Sequence, residues 1–329
     1  MIKTYSLKRS FLLGSILFVL NVPFSFARQN WQRADSLFAP LPPGIKVFYS
    51  KDSLNGRPFS AYFVEADLKD KKLDFTAQTG HGKRYTPSQY YANENQPYLV
   101  VNATFFSFNT NQNLNLVMKD GVQVAYNNPS LKSKGVDSFY YPTYGAIGIN
   151  KRRNADVAWI FTDTTMRWPY AFQERPVVAK GTTPDPTIRN LNTLDRWKWW
   201  RMKTAVGGGP VLVKDHEIFI PFREEQKFVN GENDRHPRTA MGYTANGQLI
   251  ILVVQGRTPG VAEGTTLKET AIILRDLGCV EAVNLDGGGS SCMLVNGKET
   301  IKPSDKEGQR PVPAVFIIQR KYSKKEMKP

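Results

Sequence analysis

Four stretches of the 329-residue chain gather glycine, asparagine, arginine, histidine, aspartate or serine, residue types that free the backbone, bind anions or move protons. They are Asn102-Ala103-Thr104-Phe105-Phe106, Gly207-Gly208-Gly209-Pro210, Arg235-His236-Pro237-Arg238-Thr239 and Asn284-Leu285-Asp286-Gly287-Gly288-Gly289-Ser290-Ser291. Runs of three glycines cost chain entropy and are kept where the backbone needs positive φ or close approach to another group. Successive amides in such a loop can cup an anion. One such stretch alone reads as a tight turn or bulge. Four in one chain, two of them carrying arginine or aspartate, point to a phosphate- or glycan-binding site. Asp286, at the end of a predicted strand and the head of a glycine loop, is the first candidate for base or nucleophile. The competing reading is a turn aspartate that bonds its own loop amides. Glu269 is the second carboxylate, although the capping box Thr266-Leu267-Lys268-Glu269 explains it without catalysis. His236 lies among positive neighbours that favour the neutral ring, which suits a hydrogen bond or proton shuttle; a satisfied structural histidine is the alternative.

The elements that must hold these residues are mostly hairpins. Apolar runs flank Lys119-Asp120-Gly121, Lys214-Asp215-His216, Asn246-Gly247 and Asn296-Gly297, and Asx-Gly between apolar runs is a strong signal for a two-residue turn. Residues 46–50 and 58–66 also read as strands. One helix stands out: it starts at the Thr266 capping box, places Leu267, Ala271, Leu274 and Leu277 on one face, and stops at Gly278. A strand over 280–285 then runs into the Asp286 loop. The expected fold class is α+β, with mixed, largely antiparallel sheets, a few packed helices and glycine-rich loops at strand ends. Residues 125–200 are less patterned. Within them Arg196-Trp197-Lys198-Trp199-Trp200-Arg201 is either a sugar-stacking platform or, the favoured reading, indoles packed on the core.

The N-terminus reads as an address. Lys3, Lys8 and Arg9 precede an apolar run over 10–20, and Ser25-Phe26-Ala27 supplies a cleavage site, so residues 1–27 are expected to be a signal peptide and the protein to be exported, periplasmic or secreted. No transmembrane span is expected after cleavage. Removing those three charges lowers the net charge from +15 to +12, which suits anionic glycans or sugar phosphates as partners. No nucleic-acid-binding signature accompanies the charge. A Pro-rich leader or linker occupies 28–44, N-terminal strands 45–94, the main domain 95–320 and a basic tail 321–329. With 3 histidines and 2 cysteines, no metal site or organic cofactor is expected, a divalent cation near Asp286 being conceivable but unsupported by a carboxylate cluster. Cys279 and Cys292 are expected to be free, buried thiols, because they flank opposite ends of a strand and its loop.

The series Arg235-His236-Pro237-Arg238-Thr239-Ala240, Gln255-Gly256-Arg257, the Thr266 cap, Leu277-Gly278, the Asp286 loop and Arg310-Pro311-Val312-Pro313 resembles the phosphodiester glycosidase family over about residues 95–320. Thr104 and Ser107 stand where that family usually has Gly and Asp. The resemblance implies hydrolysis of a sugar-1-phosphodiester, with a non-catalytic binder of anionic envelope or extracellular glycans as the alternative. Phosphate or substrate would be met by Asn102, Gly208, Gly209, Arg238, Arg257, Asn284, Gly287, Gly288, Gly289, Ser290, Ser291 and Arg310, with Asp286, His236 and Glu269 as candidate catalytic groups. A phosphate monoester leaves readily, so one carboxylate would suffice where most glycosidases need two.

Overall fold

The computed structural model describes residues 29–132, 137–174, 181, 197–228, 231 and 233–321. The expected signal peptide, Arg28 and the tail beyond 321 lie outside the described residues.

Alternating apolar positions generate three main antiparallel sheets. The eight-stranded sheet runs in the order Gln32–Arg33, Ile45–Leu54, Arg57–Asp67, Gln248–Val254, Arg238–Thr244, Cys279–Asn284, Val211–Lys214, Glu217–Ile218. The seven-stranded sheet runs Trp197–Trp199, Tyr170–Phe172, Ala155–Phe161, Tyr144–Asn150, Met202–Gly207, Val117–Lys119, Val122–Ala125. The five-stranded sheet runs Lys298–Glu299, Met293–Val295, Leu99–Asn102, Ala314–Arg320, Leu73–Thr79. The N-terminal strands are integral to these sheets, since Arg57–Asp67 pairs with Gln248–Val254 and Leu73–Thr79 with Ala314–Arg320.

One core joins all three sheets through Val64, Ile251, Ile147, Trp159, Val206, Val101 and Phe316. Along Gln248–Val254 the period of two sends Ile251 into that core, while Ile250 and Leu252 face a second one beneath helix α2, Leu267–Asp276. Helix α2 carries the expected reciprocal cap between Thr266 and Glu269 and buries Leu267, Ala271 and Leu274. Helix α1, Pro87–Asn93, has its own capping box at Thr86 and covers the five-stranded sheet through Tyr90. Among the described residues these are the two α-helices, so the fold is mainly β rather than a balanced α+β. Hairpin turns dominate the connections and leave little chain for helices. Asp120 and Gly121 have φ of 51° and 79°, and Asn296 and Gly297 have 47° and 75°, the left-handed values those turn residues tolerate.

The Pro-rich leader is docked in part. Trp31 meets the Phe63 ring edge-on at 4.8 Å, and Phe38, in the 3-10 turn Asp35–Phe38, is buried. The tryptophan cluster divides: Trp200 is in the core, whereas Trp199 is 41% exposed and stacks on Tyr170 at 4.1 Å. Cys279 and Cys292 are free and buried. No helix among the described residues is long and apolar enough to cross a membrane.

Candidate active site

The ends of the three sheets converge on the loop that follows Cys279–Asn284. The amide of Leu285 donates to the Thr239 carbonyl at 2.8 Å, and the amide of Asp286 to the Ala103 carbonyl at 2.9 Å. From the third side, the Asn284 amide donates to Pro210 at 3.0 Å. Asp286 therefore stands where the four stretches meet.

Burial pushes the Asp286 carboxyl up to about 6, against the pull of a hydrogen bond from Ser290, the charges of Arg310 and Lys227, and the Gly287 amide. A carboxylate of that kind is ionised at neutral pH and still basic enough to take a proton. Arg310 forks onto Asp305 at 2.7 and 2.9 Å and reaches Ser290 Oγ at 3.4 Å. Gly289 lies against that pair, where any Cβ would collide with the Arg310 guanidinium and the Asp305 carboxylate. On the other flank the Arg257 guanidinium lies over Gly288, where a Cβ would meet Nη2 at 2.9 Å. Arg257 is exposed and has no ionic partner among the described residues. His236 is held by a two-way backbone bridge to Thr265, and its Nδ1 is buried without a partner. Burial first, then the charges of Arg238 and Arg257, holds its pKa below the usual histidine value, so the ring is neutral.

Several candidates serve the scaffold instead of facing the site. Asn102 is fully buried: its Nδ2 donates to the Asp286 carbonyl at 2.6 Å, and its Oδ1 accepts from Thr239 Oγ1 at 2.9 Å and the Cys292 amide at 3.1 Å. No atom is left for a sugar hydroxyl, and although Asn102-Ala103-Thr104 has the form of an N-glycosylation sequon, the buried side chain is closed to modification. Arg238 is 1% exposed and donates to the carbonyls of Thr265 and Asp234 at 3.0 and 2.7 Å, with its guanidinium over the Phe228 ring. Its expected grip on phosphate is thus spent on loop carbonyls. Glu269 is taken by Arg235 at 2.6 and 2.7 Å, by Asn55 and by the Thr266 amide. Gly208 and Gly209 give their amides to the carbonyls of Gly145 and Asn284, both at 2.8 Å, and so form no anion cup. Asn284 bridges the Gly209 and Leu285 carbonyls at 3.0 and 2.9 Å, leaving Oδ1 unpartnered, and Ser291 accepts from Thr239 at 3.2 Å. In the Asp286 loop, Gly287 serves the carboxyl and Gly288 donates to Pro237 at 2.9 Å. Of the substituted motif positions, Thr104 donates to Asn113 at 2.5 Å and Ser107 accepts from the Thr110 amide at 3.3 Å.

The structure adds three groups that the sequence reading passed over. Lys227 places its ammonium 4.0 Å from the Phe105 ring centre and 4.8 Å from that of Tyr144. Desolvation draws its pKa down to about 8, while Glu225 and Asp286 pull the other way. Glu225 is fully buried and accepts from the amides of Val211 and Gly145, both at 2.9 Å, and from Trp159 Nε1 at 2.8 Å. Burial raises its carboxyl to about 7. Phe108, 59% exposed, lies 4.7 Å from Phe106 with the two rings tilted by 45° and with Arg84 and Arg310 beside it, an apolar face at the rim. Lys227 and Glu225 lie in an irregular stretch without periodicity. Phe108, just beyond the Phe105-Phe106 pair, was the one with a signal.

No group of three or more potential metal-binding side chains occurs among the described residues. The set is the Asp286 carboxyl under the charges of Lys227 and Arg310, with Glu225 behind Lys227, Asp305 on Arg310, Arg257 over Gly288 and a neutral histidine near Arg257.

Comparison with known proteins bears on this geometry. The mouse N-acetylglucosamine-1-phosphodiester alpha-N-acetylglucosaminidase is 43% identical over 79 residues, which is 24% of this chain and 14% of that protein. An uncharacterized prophage-derived protein of Bacillus subtilis is 40% identical over 73 residues, 22% of this chain and 11% of its own length. The chain thus spans a small part of these curated relatives. The crystallised catalytic domain of the zebrafish N-acetylglucosamine-1-phosphodiester enzyme, auto-inhibited by its pro-peptide, superposes with a TM-score of 0.57 at 20% identity, covering 89% of each chain, which establishes a shared fold. The family profile itself matches residues 95–319. With that match over most of its length, the chain belongs to the phosphodiester glycosidase family.

Proposed function

We propose that the protein is an exported hydrolase that cleaves the C1–O bond of a sugar-1-phosphodiester, freeing the sugar and leaving a phosphomonoester. The observation that carries the reading is the half-buried Asp286 carboxyl at the junction of the sheets, acted on by the charges of Arg310 and Lys227 and with Arg257 over the neighbouring Gly288. A phosphodiester has one negative charge, and Lys227, Arg257 and Arg310 supply the matching field in a partly desolvated site. As the bond breaks, that charge grows to a phosphomonoester dianion, so the cations stabilise the transition state more than the ground state. Asp286 meets the sugar carbon. Acting as base, it takes a proton from water as the water oxygen bonds C1 and the C1–O electron pair leaves with phosphate. Acting as nucleophile, it forms a glycosyl ester that water then opens. The first route inverts the anomeric centre and the second retains it. His236, neutral and one-third exposed, hydrogen-bonds the substrate through the open edge of its ring, and Phe108 offers an apolar face to a sugar ring.

The test is incubation of the methyl diester of N-acetyl-α-glucosamine-1-phosphate in oxygen-18 water. The expected products are labelled sugar and unlabelled methyl phosphate. Label in the phosphate would move the chemistry to phosphorus and overturn the assignment. Binding of the diester without turnover would mark the chain as a glycan binder.

A further inference from the structure

The seven-stranded sheet has two polar ends. Tyr144, facing Lys227, and Gly207 stand at the catalytic end. Strand Tyr144–Asn150 leads away from it, and six residue steps carry the chain about 20 Å. At the far end lies a second cleft of about 410 Å³ lined by Gly121, Asn150, Lys151, Arg152, Arg167, Trp168, Arg201 and Met202. Four of these side chains are cationic and exposed, none is acidic, and none of the four is ion-paired among the described residues.

Two of the cations are ordered in a way that suits oxyanions. The guanidinium carbons of Arg167 and Arg201 sit 4.9 and 5.1 Å from the Trp168 ring centre. Trp168 is itself packed against the core beside Trp200 and Met202. Stacking on an indole fixes the plane of a guanidinium while leaving its N–H edge free for bidentate bonds to phosphate. A neighbouring cavity of about 340 Å³ shares Asn150 and Lys151 but is mixed in charge: Asp74 and Asp120 line it beside Lys321, Lys203 pairs with Asp74, and Arg153 is bound to the carbonyls of Leu68, Asp70 and Leu73. Of the two, the Trp168 cleft is the one whose lining holds no carboxylate.

We infer that the Trp168 cleft binds a remote segment of a phosphate-bearing glycan chain whose reacting unit occupies the Asp286 site. This rests on the proposed glycosidase function. A single sugar-1-phosphate diester cannot reach from one end of the sheet to the other, whereas a chain of several units can, and holding it at two points raises the effective concentration of the reacting unit. The cleft makes the enzyme a selector of polymers over small diesters.

The double variants Arg167→Gln/Arg201→Gln and Lys151→Gln/Arg152→Gln, all at exposed positions, test this. The probes are a linear N-acetylglucosamine-1-phosphate polymer, the monomeric methyl diester, inorganic phosphate and an oligothymidylate of equal charge. Binding is read by calorimetry on the full chain carrying Asp286→Asn, and KM in the otherwise unaltered protein. Each double variant is expected to weaken polymer binding about tenfold or more and to raise polymer KM alike. Monomer kcat and KM should stay unchanged, and the salt dependence of polymer binding should flatten. Unchanged polymer binding, equally tight oligothymidylate binding lost in the same variants, or saturation of the cleft by inorganic phosphate alone would each overturn the inference. Loss of polymer binding in a protein that hydrolyses no diester would leave the cleft standing and remove the glycosidase reading.

Discussion

The side chain of Asn102 holds the main chain of Asp286: its Nδ2 donates to the Asp286 carbonyl at 2.6 Å, while its Oδ1 ties Thr239 and the Cys292 amide. The end of one sheet thereby fixes the residue that heads the glycine loop of another. Asn102→Ala removes three buried hydrogen bonds. It should cost about 3 kcal/mol of stability, at roughly 1 kcal/mol each. Chemical denaturation measures that loss, and kcat should fall with KM for the diester nearly unchanged. A folded variant with raised KM and normal stability would return Asn102 to the substrate.

Asp286→Asn separates catalysis from folding. Loss of the charge should lower kcat by about two orders of magnitude or more. The carboxyl is raised from 3.8 to about 6 in the folded protein, so the stability it contributes is fully present below pH 3.8 and lost as pH rises through 6. The amide does not titrate, and the variant should gain on the native protein across that window, by up to about 3 kcal/mol above it. Melting curves at pH 4 and pH 8 read the difference. An Asn variant with near-normal turnover would make Asp286 a loop brace.

The pH profile of kcat/KM should be bell-shaped. Asp286 must lose its proton, giving a rising limb near pH 6, and Lys227 must keep its own, giving a falling limb near pH 8. Lys227→Met should abolish the falling limb. Because Lys227 holds the Asp286 carboxyl down, the same change should move the rising limb upward. A variant with both limbs in place would detach Lys227 from the reaction.

The two arginines of neighbouring motifs should behave in opposite ways. Arg257, exposed and unpaired, should when changed to Ala raise KM for anionic diesters, with about 1.5–3 kcal/mol lost for a charged hydrogen bond and no change in melting. Arg238, buried on two carbonyls and a ring, should instead lose stability on the same change. Measuring both quantities on both variants decides between the assignments.

Local sequence determined the parts of this protein that depend on neighbours in the chain. The hairpin turns at Asp120-Gly121 and Asn296-Gly297, the Thr266 cap and the strand leading into Asp286 follow from positive φ, reciprocal hydrogen bonds and alternation, all of which act within a few residues. The ordered motifs also carried the family, because they recur in sequence whatever the sheets do. Tertiary structure alone decided which motif residues face the site. Asn102 and Arg238 have the right chemistry for substrate, yet both are consumed largely by partners that the fold brings in, and no local pattern announces that; Glu269 was announced in part by its capping box, but its pairing with Arg235 and Asn55 was not. Lys227 and Glu225 were silent for the converse reason. Their altered acidity comes from burial among Phe105, Tyr144 and Trp159, which lie 66 or more residues away in the chain. Desolvation is a property of the packed interior, and it exists only once the three sheets have closed around it.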